Sequence, residues 1–251
     1  MKPMTISAKE LKLIDGLVDY FIENISVFES LIYQIKGHVD SSPALSPLVH
    51  FMKGRVKDPV HLRDKLIRKG MEAKINGEPF PFEKGNLFRK VNDLAGFRII
   101  HLHTRQIKEI HAALLAIFEE QRWVLLEPPS ARTWDDESRE YFAEIGIETI
   151  NSSSMYTSIH YILQANTRTE ASCEIQVRTL MEEVWGEVDH KINYPIKSNN
   201  DSCREQIKVL ARVTSSCSRL VDSIFLSNER DKVDHIDAKA SKPKQKNKKR
   251  T

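Results

Sequence analysis

The sequence predicts an α+β fold, a mixed and mostly antiparallel sheet of about five strands flanked by helices. Two observations lead there: apolar residues recur every three or four positions towards both ends of the chain, while the middle changes to short apolar runs of period two separated by turn residues.

Ser7 and Glu10 have capping-box spacing, and after them Leu11, Ile14, Val18, Phe21, Ile22, Ile25, Phe28, Ile32 and Ile35 form the stripe of one long amphipathic helix. That stripe serves either the core or an oligomer interface. Ser41-Ser42-Pro43 breaks the chain before a second helix ending near Gly54. Asp58 caps a third helix with Pro59 in its first turn, and Gly70 stops it. Leu94 to Leu102 reads as a strand, apolar nearly throughout apart from Arg98, and a helix follows from about Arg105 to Gln121. Trp123 to Leu126 is a second strand. Glu127 to Ser154 reads as a loop over a site, with a short helix near 136–145. Ser158–Leu163 and Ser172–Val177 pair as a hairpin, a helix covers Leu180 to about Asn193, and a last helix runs from 202 to about 228. The first and last helices are expected to pack near each other. The domain division is an N-terminal helical flank at 1–54, a central domain at 55–195, a C-terminal helix at 196–229 and a basic disordered tail at 230–251.

Composition excludes several classes. With 40% hydrophobic and 29% charged residues, the 251-residue chain has a globular composition, not a disordered one. No apolar run is long enough to cross a bilayer, and the first residues lack a signal peptide's apolar core, so a cytoplasmic protein without a membrane partner is expected. Cys173, Cys203 and Cys217 are too scattered for a disulfide framework, and Cys173 reads as a small core residue. The net charge of +3 hides an asymmetry, because residues 239–251 carry seven Lys/Arg and no acid. That stretch is either a solvated tail or an RNA or phosphate contact.

Charge within apolar strands points to chemistry. Asp93 begins one strand and Arg98 sits inside it, while Glu174, Gln176 and Arg178 alternate with Cys173, Ile175 and Val177, so period two puts the polar three on one face. A solvated outer face is the plain reading. Against it, Ser158 and His160 extend the polar face across the neighbouring strand, with Tyr156 just before. Upstream, Lys57, His61, Lys65 and Arg68 fall at helical spacing within a cationic segment that also holds Arg55, Arg63 and Lys69. Carboxylates that fix magnesium, beside cations that neutralise phosphate oxygens, are the equipment of phosphoryl transfer. The common Gly-rich ATP loops are absent from the sequence.

In order, Arg55-x-Lys57, Lys65 and Arg68, Asp93-Leu94-Ala95-Gly96-Phe97-Arg98, Tyr156-Thr157-Ser158-Ile159-His160, and Glu174-Ile175-Gln176-Val177-Arg178-Thr179 resemble the synthetase domain of the RelA/SpoT family of alarmone synthetases. The likeness spans about 55–195 and corresponds to a small stand-alone synthetase without the family's hydrolase half. It implies a nucleotidyltransferase-like fold and transfer of the β,γ-pyrophosphate of ATP to the 3′-hydroxyl of GDP or GTP, with Mg2+ as cofactor. Asp93 and Glu174 would hold the metal, Glu174 alternatively acting as base. Arg55, Lys57, Lys65 and Arg68 would hold the ATP phosphates, with Arg98 facing the donor. Tyr156 would stack on the acceptor base, His160 and Gln176 would position the acceptor, and Arg178 is read as a brace for Glu174. The chain departs from the family in having Met155 where glycine precedes the tyrosine, and no cation between Ile150 and Ser154. These departures touch the acceptor side and leave two alternatives: a toxic small synthetase acting on the 3′ end of tRNA, which the basic tail would suit, or an inactive nucleotide- or RNA-binding module. A homo-oligomer is left open. His190 is read as a structural residue and Trp123 and Trp185 as core aromatics. Trp134 is assigned to loop packing or a lid contact, and His101 and His103 to the end of a strand.

Overall fold

The structure is a computed structural model that describes residues 6–166, 169–193 and 198–240, with 231–240 as backbone only. The capping box forms: Ser7 Oγ accepts from Glu10 N, and Glu10 Oε2 accepts from Ser7 N at 2.7 Å. The long helix is in fact two, α1 (Ala8–Glu23) and α2 (Ile25–Ser41). Asn24 leaves helical geometry at φ −112°, and its side-chain amide donates to Tyr20 O, which ends the first helix without interrupting the stripe. Ile14, Val18, Phe21, Phe28 and Ile35 of the stripe are buried, joined by Leu17 and Leu31, so the stripe serves the core, while Ile22 is exposed.

The helix expected to end near Gly54 is instead a short 3₁₀ turn, Ser46–Leu48, followed by strand β1 (Phe51–Val56). Its length made it ambiguous in sequence; tertiary pairing decides for a strand, since β1 lies antiparallel on β2 (Ala95–His101). Met52 and Val56 turn to the core, and Lys53 and Arg55 to the other face. Next comes α3 (Pro59–Ile75), capped by Asp58, whose carboxylate accepts from Val60 N and His61 N. It runs past Gly70, which is a close-packing position and not a stop: a Cβ there would lie 2.9 Å from the Phe80 ring.

The remaining elements are α4 (Leu87–Lys90), α5 (Ile107–Glu120), β3 (Val124–Leu125), β4 (Ser130–Thr133), α6 (Asp136–Glu144), β5 (Glu148–Asn151), β6 (Ser158–Gln164), β7 (Ser172–Thr179), α7 (Leu180–Asn193) and α8 (Asp201–Ala240). The segment 127–154, read as a loop, thus contains two short strands around its helix; strands of four residues carry too little periodicity to be seen alone. Helix α8 extends beyond 228 into the segment read as tail, in keeping with a stretch from Asp201 to Ala240 that has neither Gly nor Pro. The residues 241–251 of the basic tail lie outside the described residues. No helix among the described residues is long and apolar enough to cross a membrane.

Among the described residues seven strands form one mixed sheet in the order β1-β2-β7-β6-β4-β5, with β3 also on β6; β2/β7 and β4/β5 are parallel and the other pairs antiparallel. One face carries Ala95, Phe97, Ile99, Ile159, Tyr161, Leu163, Cys173, Ile175 and Val177, all buried in a core shared with α1, α2, α5 and α6. The opposite face carries Arg98, His160, Glu174, Gln176 and Arg178 and is overlain by α7, whose Glu183 and Glu187 bond Arg98. Helix α8 packs on α7, so the first and last helices lie on different faces and not together.

Gly54 is where the edge strand meets α2: a Cβ there would sit 2.3 Å from Ile32 Cγ2 and 3.3 Å from Phe97. Gly54→Ala is therefore expected to destabilise the fold by about 2 kcal/mol through overpacking, read as a lower urea midpoint at unchanged m-value.

Candidate active site

The site starts from the turn before β2. Asp93 lies on that turn, just ahead of the strand and not within it. Lys57, in the extended link between β1 and α3, donates its N–H to Leu94 O at 2.8 Å, which ties the link to the turn. The two lysines then converge: Lys57 Nζ lies 2.8 Å from Asp93 Oδ2, and Lys65 Nζ, two turns into α3, lies 2.7 Å from Asp93 Oδ1. Burial by itself raises the Asp93 carboxyl, but the charges of Lys65 and Lys57 outweigh it and hold it below the usual carboxylate range.

The parallel register of β2 and β7 sets Gly96 beside Glu174, and the antiparallel register of β6 and β7 sets His160 beside Gln176. Glu174 is reached from β6 and from its own strand. His160 Nδ1 is 2.8 Å from Glu174 Oε1, and Gln176 Nε2 donates to Glu174 Oε2 at 3.0 Å. Burial raises the Glu174 carboxyl and the Asp93 charge adds to that, yet the His160 and Gln176 contacts prevail and its pKa is lowered. Asp93 and Glu174 line the same clefts, one of about 540 Å³ that also receives Lys65, Lys69, Lys90, Arg132, Tyr156 and His160. The other, of about 110 Å³, receives Lys53, Arg55, Arg98, Glu187 and His190.

Arg178 is 2% exposed, so its charge needs partners. Its Nη2 donates to Gln176 Oε1 at 2.7 Å, its Nε lies 3.2 Å from Glu183 Oε2, and its guanidinium stands 5.4 Å from the centre of the Tyr156 ring. The brace read from sequence thus reaches Glu174 through Gln176. A Cβ on Gly186 would lie 2.5 Å from Arg178 Nη1, so the α7 backbone comes this close only because position 186 has no side chain. Glu183 also bonds Arg98 at 2.9 Å, and Glu187 bonds it too; these charges raise the Arg98 pKa against burial.

Tyr156 faces a third cleft of about 460 Å³ with Arg98, Gln176, Arg178, Trp185, Gly186, Asp189, His190, Arg204 and the loop residues Ser153, Ser154 and Met155. Its hydroxyl donates to Gln176 Oε1 at 3.3 Å. Met155 has φ +60°, a left-handed backbone that costs a non-glycine residue about 1 kcal/mol. The position thus has the backbone geometry that glycine favours, although methionine occupies it. Met155, Tyr156 and Trp134 pack on a small apolar cluster of Trp185, Ile207 and Ala211, separate from the main core.

Of the residues singled out in the sequence, Arg55, Lys57, Lys65, Asp93, Arg98, Tyr156, His160, Glu174 and Gln176 come together around these clefts. Arg68 does not join them; it is exposed on α3 and lines none of the three. Lys53, Lys90, Arg132, Glu183 and Glu187 were missed. Arg132 sits on a strand too short to be read, opposite Ser158. Glu183 and Glu187 carried a readable signal, two acids one helical turn apart behind a strand with a lone internal arginine.

Residues 54–199 match the family model described as the region found in RelA / SpoT proteins. GTP pyrophosphokinase YjbM of Bacillus subtilis (strain 168) is 24% identical over 202 residues, covering 78% of this chain and 79% of that protein. Among solved structures, small alarmone synthetase 1 from Bacillus subtilis is 19% identical with a TM-score of 0.55, over 86% of this chain and 97% of that one. The same enzyme bound to its product pppGpp is 20% identical with a TM-score of 0.56, over 84% of this chain and 97% of that one. A GTP pyrophosphokinase family protein from Streptococcus pneumoniae is 19% identical with a TM-score of 0.56, over 91% and 98%. At these identities the structural likeness establishes a common fold.

The Asp93 clamp has a measurable sign. Because its pKa is depressed in the folded chain, the stability it contributes is present above the unfolded pKa and is lost as pH falls through the folded value. Lys65→Met removes one of the two charges, so the Asp93 midpoint in a carboxyl-carbon NMR titration is expected to rise towards the unfolded value, and the stability that Asp93 contributes above that value to shrink, with its acid-side loss complete at a higher pH. An unchanged midpoint would show that Lys65 does not act on Asp93.

Proposed function

The chain belongs to the RelA/SpoT family, and on that premise we propose that it is an ATP:GTP 3′-diphosphotransferase, a GTP pyrophosphokinase that moves the β,γ-pyrophosphate of ATP to the 3′-hydroxyl of GDP or GTP. The observation that carries the proposal is the pair Asp93 and Glu174, which line the same clefts, one held by lysines and the other by His160 and Gln176.

In this reading the 3′-oxygen of the acceptor bonds to the β-phosphorus of ATP, the bond from that phosphorus to the bridging α,β-oxygen breaks, and AMP leaves. The proton of the 3′-hydroxyl passes to Glu174 Oε1 or Oε2. His160 and Gln176 keep Glu174 ionised at neutral pH, ready to accept it, at the cost of making it a weak base. Lys57 and Lys65, now spent on Asp93, are placed to turn to phosphate oxygens when ATP enters, and Arg55 and Arg98 line the donor side. Tyr156 offers its ring to the acceptor base, and Arg132 and Lys90 extend the cationic wall of the cleft that holds His160.

Magnesium fits this set. Two hard carboxylates line one cleft, Asn92 Oδ1 adds a buried oxygen without a hydrogen-bond partner beside Asp93, and Mg2+ is commonly held by one or two carboxylates together with substrate phosphates. Bound by Asp93 and Glu174, it would neutralise the triphosphate and polarise the transferred group.

One observation favours a second acceptor. The loop beside Tyr156 lines its cleft with Ser153 and Ser154 and offers no cation, which leaves Arg178, Arg204 and Lys208 from β7 and α8 as the cleft's cations beside Arg98; a loop without its own phosphate-holding cation suits the 3′ end of a tRNA. Incubation with γ-labelled ATP and magnesium, and with GDP, GTP or deacylated tRNA in separate reactions, is expected to label the guanine nucleotides. Label confined to tRNA would replace that acceptor, and no label in any arm would make the chain a binding module. Glu174→Gln should lower transfer at least about 100-fold, the lower range for a general base, with ATP binding retained. Full activity in that variant would remove Glu174 from the mechanism.

A further inference from the structure

We infer that Met155 is a positioning residue for the acceptor ring, holding Tyr156 against Trp185 from a backbone conformation that otherwise calls for glycine; the inference rests on the proposed role of Tyr156. Hydrogen-bonding restraint on Tyr156 is weak, and the Arg178 guanidinium stands off at 5.4 Å from its ring centre. The Tyr156 N–H donates to Ser152 Oγ at 3.3 Å and its hydroxyl to Gln176 Oε1 at 3.3 Å, both long. Its ring lies 6.3 Å from that of Trp185 at an oblique 50°. What fixes the loop is packing. Met155 joins Trp134, Tyr156 and Leu210 on the cluster of Trp185, Ile207 and Ala211, and Trp185 is itself anchored by donating Nε1–H to Ile207 O at 3.1 Å.

Met155 also stands between two spaces. It lines the cleft of about 460 Å³ in front of Tyr156, and it lines a small cavity of about 30 Å³ behind, with Trp134, Thr157, Trp185, Ala211 and Thr214. Met155 and Trp185 are the residues that line both, and the flexible thioether is the one of the two that adapts its shape to them. Glycine here would relax the backbone at φ +60° and at the same time join the two spaces, freeing the tyrosine next to it. Stability and acceptor binding should therefore come apart, which a role confined to folding cannot produce.

The test compares the wild-type chain with Met155→Gly, Met155→Ala and Met155→Leu. GDP binding is followed by calorimetry, KM for ATP and for the acceptor by steady-state kinetics, and stability by urea unfolding. Glycine and alanine are both expected to weaken GDP binding about tenfold, or ~1.4 kcal/mol. Acceptor KM rises with it, while the ATP KM moves by less than about twofold. Glycine should unfold at higher urea than alanine, because only alanine keeps the strained backbone, and leucine should restore GDP binding. If Met155→Gly binds GDP as the wild type does, or if GDP affinity across the variants merely follows the urea midpoint, the positioning role is overturned. A wild-type chain that neither binds nor uses GDP or GTP overturns the proposed guanine acceptor, and this inference with it; normal wild-type binding with unaffected variants overturns the inference alone.

Discussion

Two partly buried carboxylates lining one cleft repel each other and resist ionisation, and much of the site is the means of keeping both charged. Asp93 is answered by Lys57 and Lys65, Glu174 by His160 and Gln176. In each case burial alone pushes the pKa up and the partners bring it down. The partners come from four places: the link after β1, α3, β6 and β7. That requirement makes the pairing of β6 with β7 functional, because it brings His160 to Glu174 from the neighbouring strand while Gln176 reaches it from its own.

The same constraint spreads outward. Gln176 can give its amide protons to Glu174 because its carbonyl is held by Arg178, and Arg178 can be buried because Glu183 answers it from α7. Glu183 and Glu187 also hold Arg98 on β2, the strand beside β7, so α7 is fastened to the polar face by charge and not by a broad apolar contact. The sheet therefore has two unlike sides. One is a continuous apolar core, the other a network of paired charges with clefts left between, in which Arg178 Nε and Glu183 Oε2 face each other at 3.2 Å without a hydrogen bond.

Between α7 and the loop before β6 lies the second, smaller apolar cluster. It joins the tyrosine loop to α8, which otherwise lies away from the carboxylates. In the proposed reading the molecule divides into a donor side built on β1, β2 and α3 and an acceptor side built on β6, β7, α7 and the loop. The donor side rests on strands and a capped helix. The acceptor side rests on a loop with a left-handed methionine.

The amino-acid sequence by itself determined what depends on near neighbours along the chain. Ser7–Glu10 and Asp58–Pro59 fix helix starts within a turn, and the alternation of Glu174, Gln176 and Arg178 fixes which of them share a face. The ordered motifs from Arg55 to Thr179 were legible as a family pattern. Tertiary structure decided what depends on residues distant in sequence. Phe51–Val56 became a strand because β2 offers an edge, Ser130–Thr133 because β6 does, and so Arg132 entered the site unannounced. Asp93 met Lys57 and Lys65 across 36 and 28 residues, and Arg98 met Glu183 and Glu187 across 85 and 89. No local pattern encodes such pairings, since they arise only when folding brings the two faces and their helices to one place.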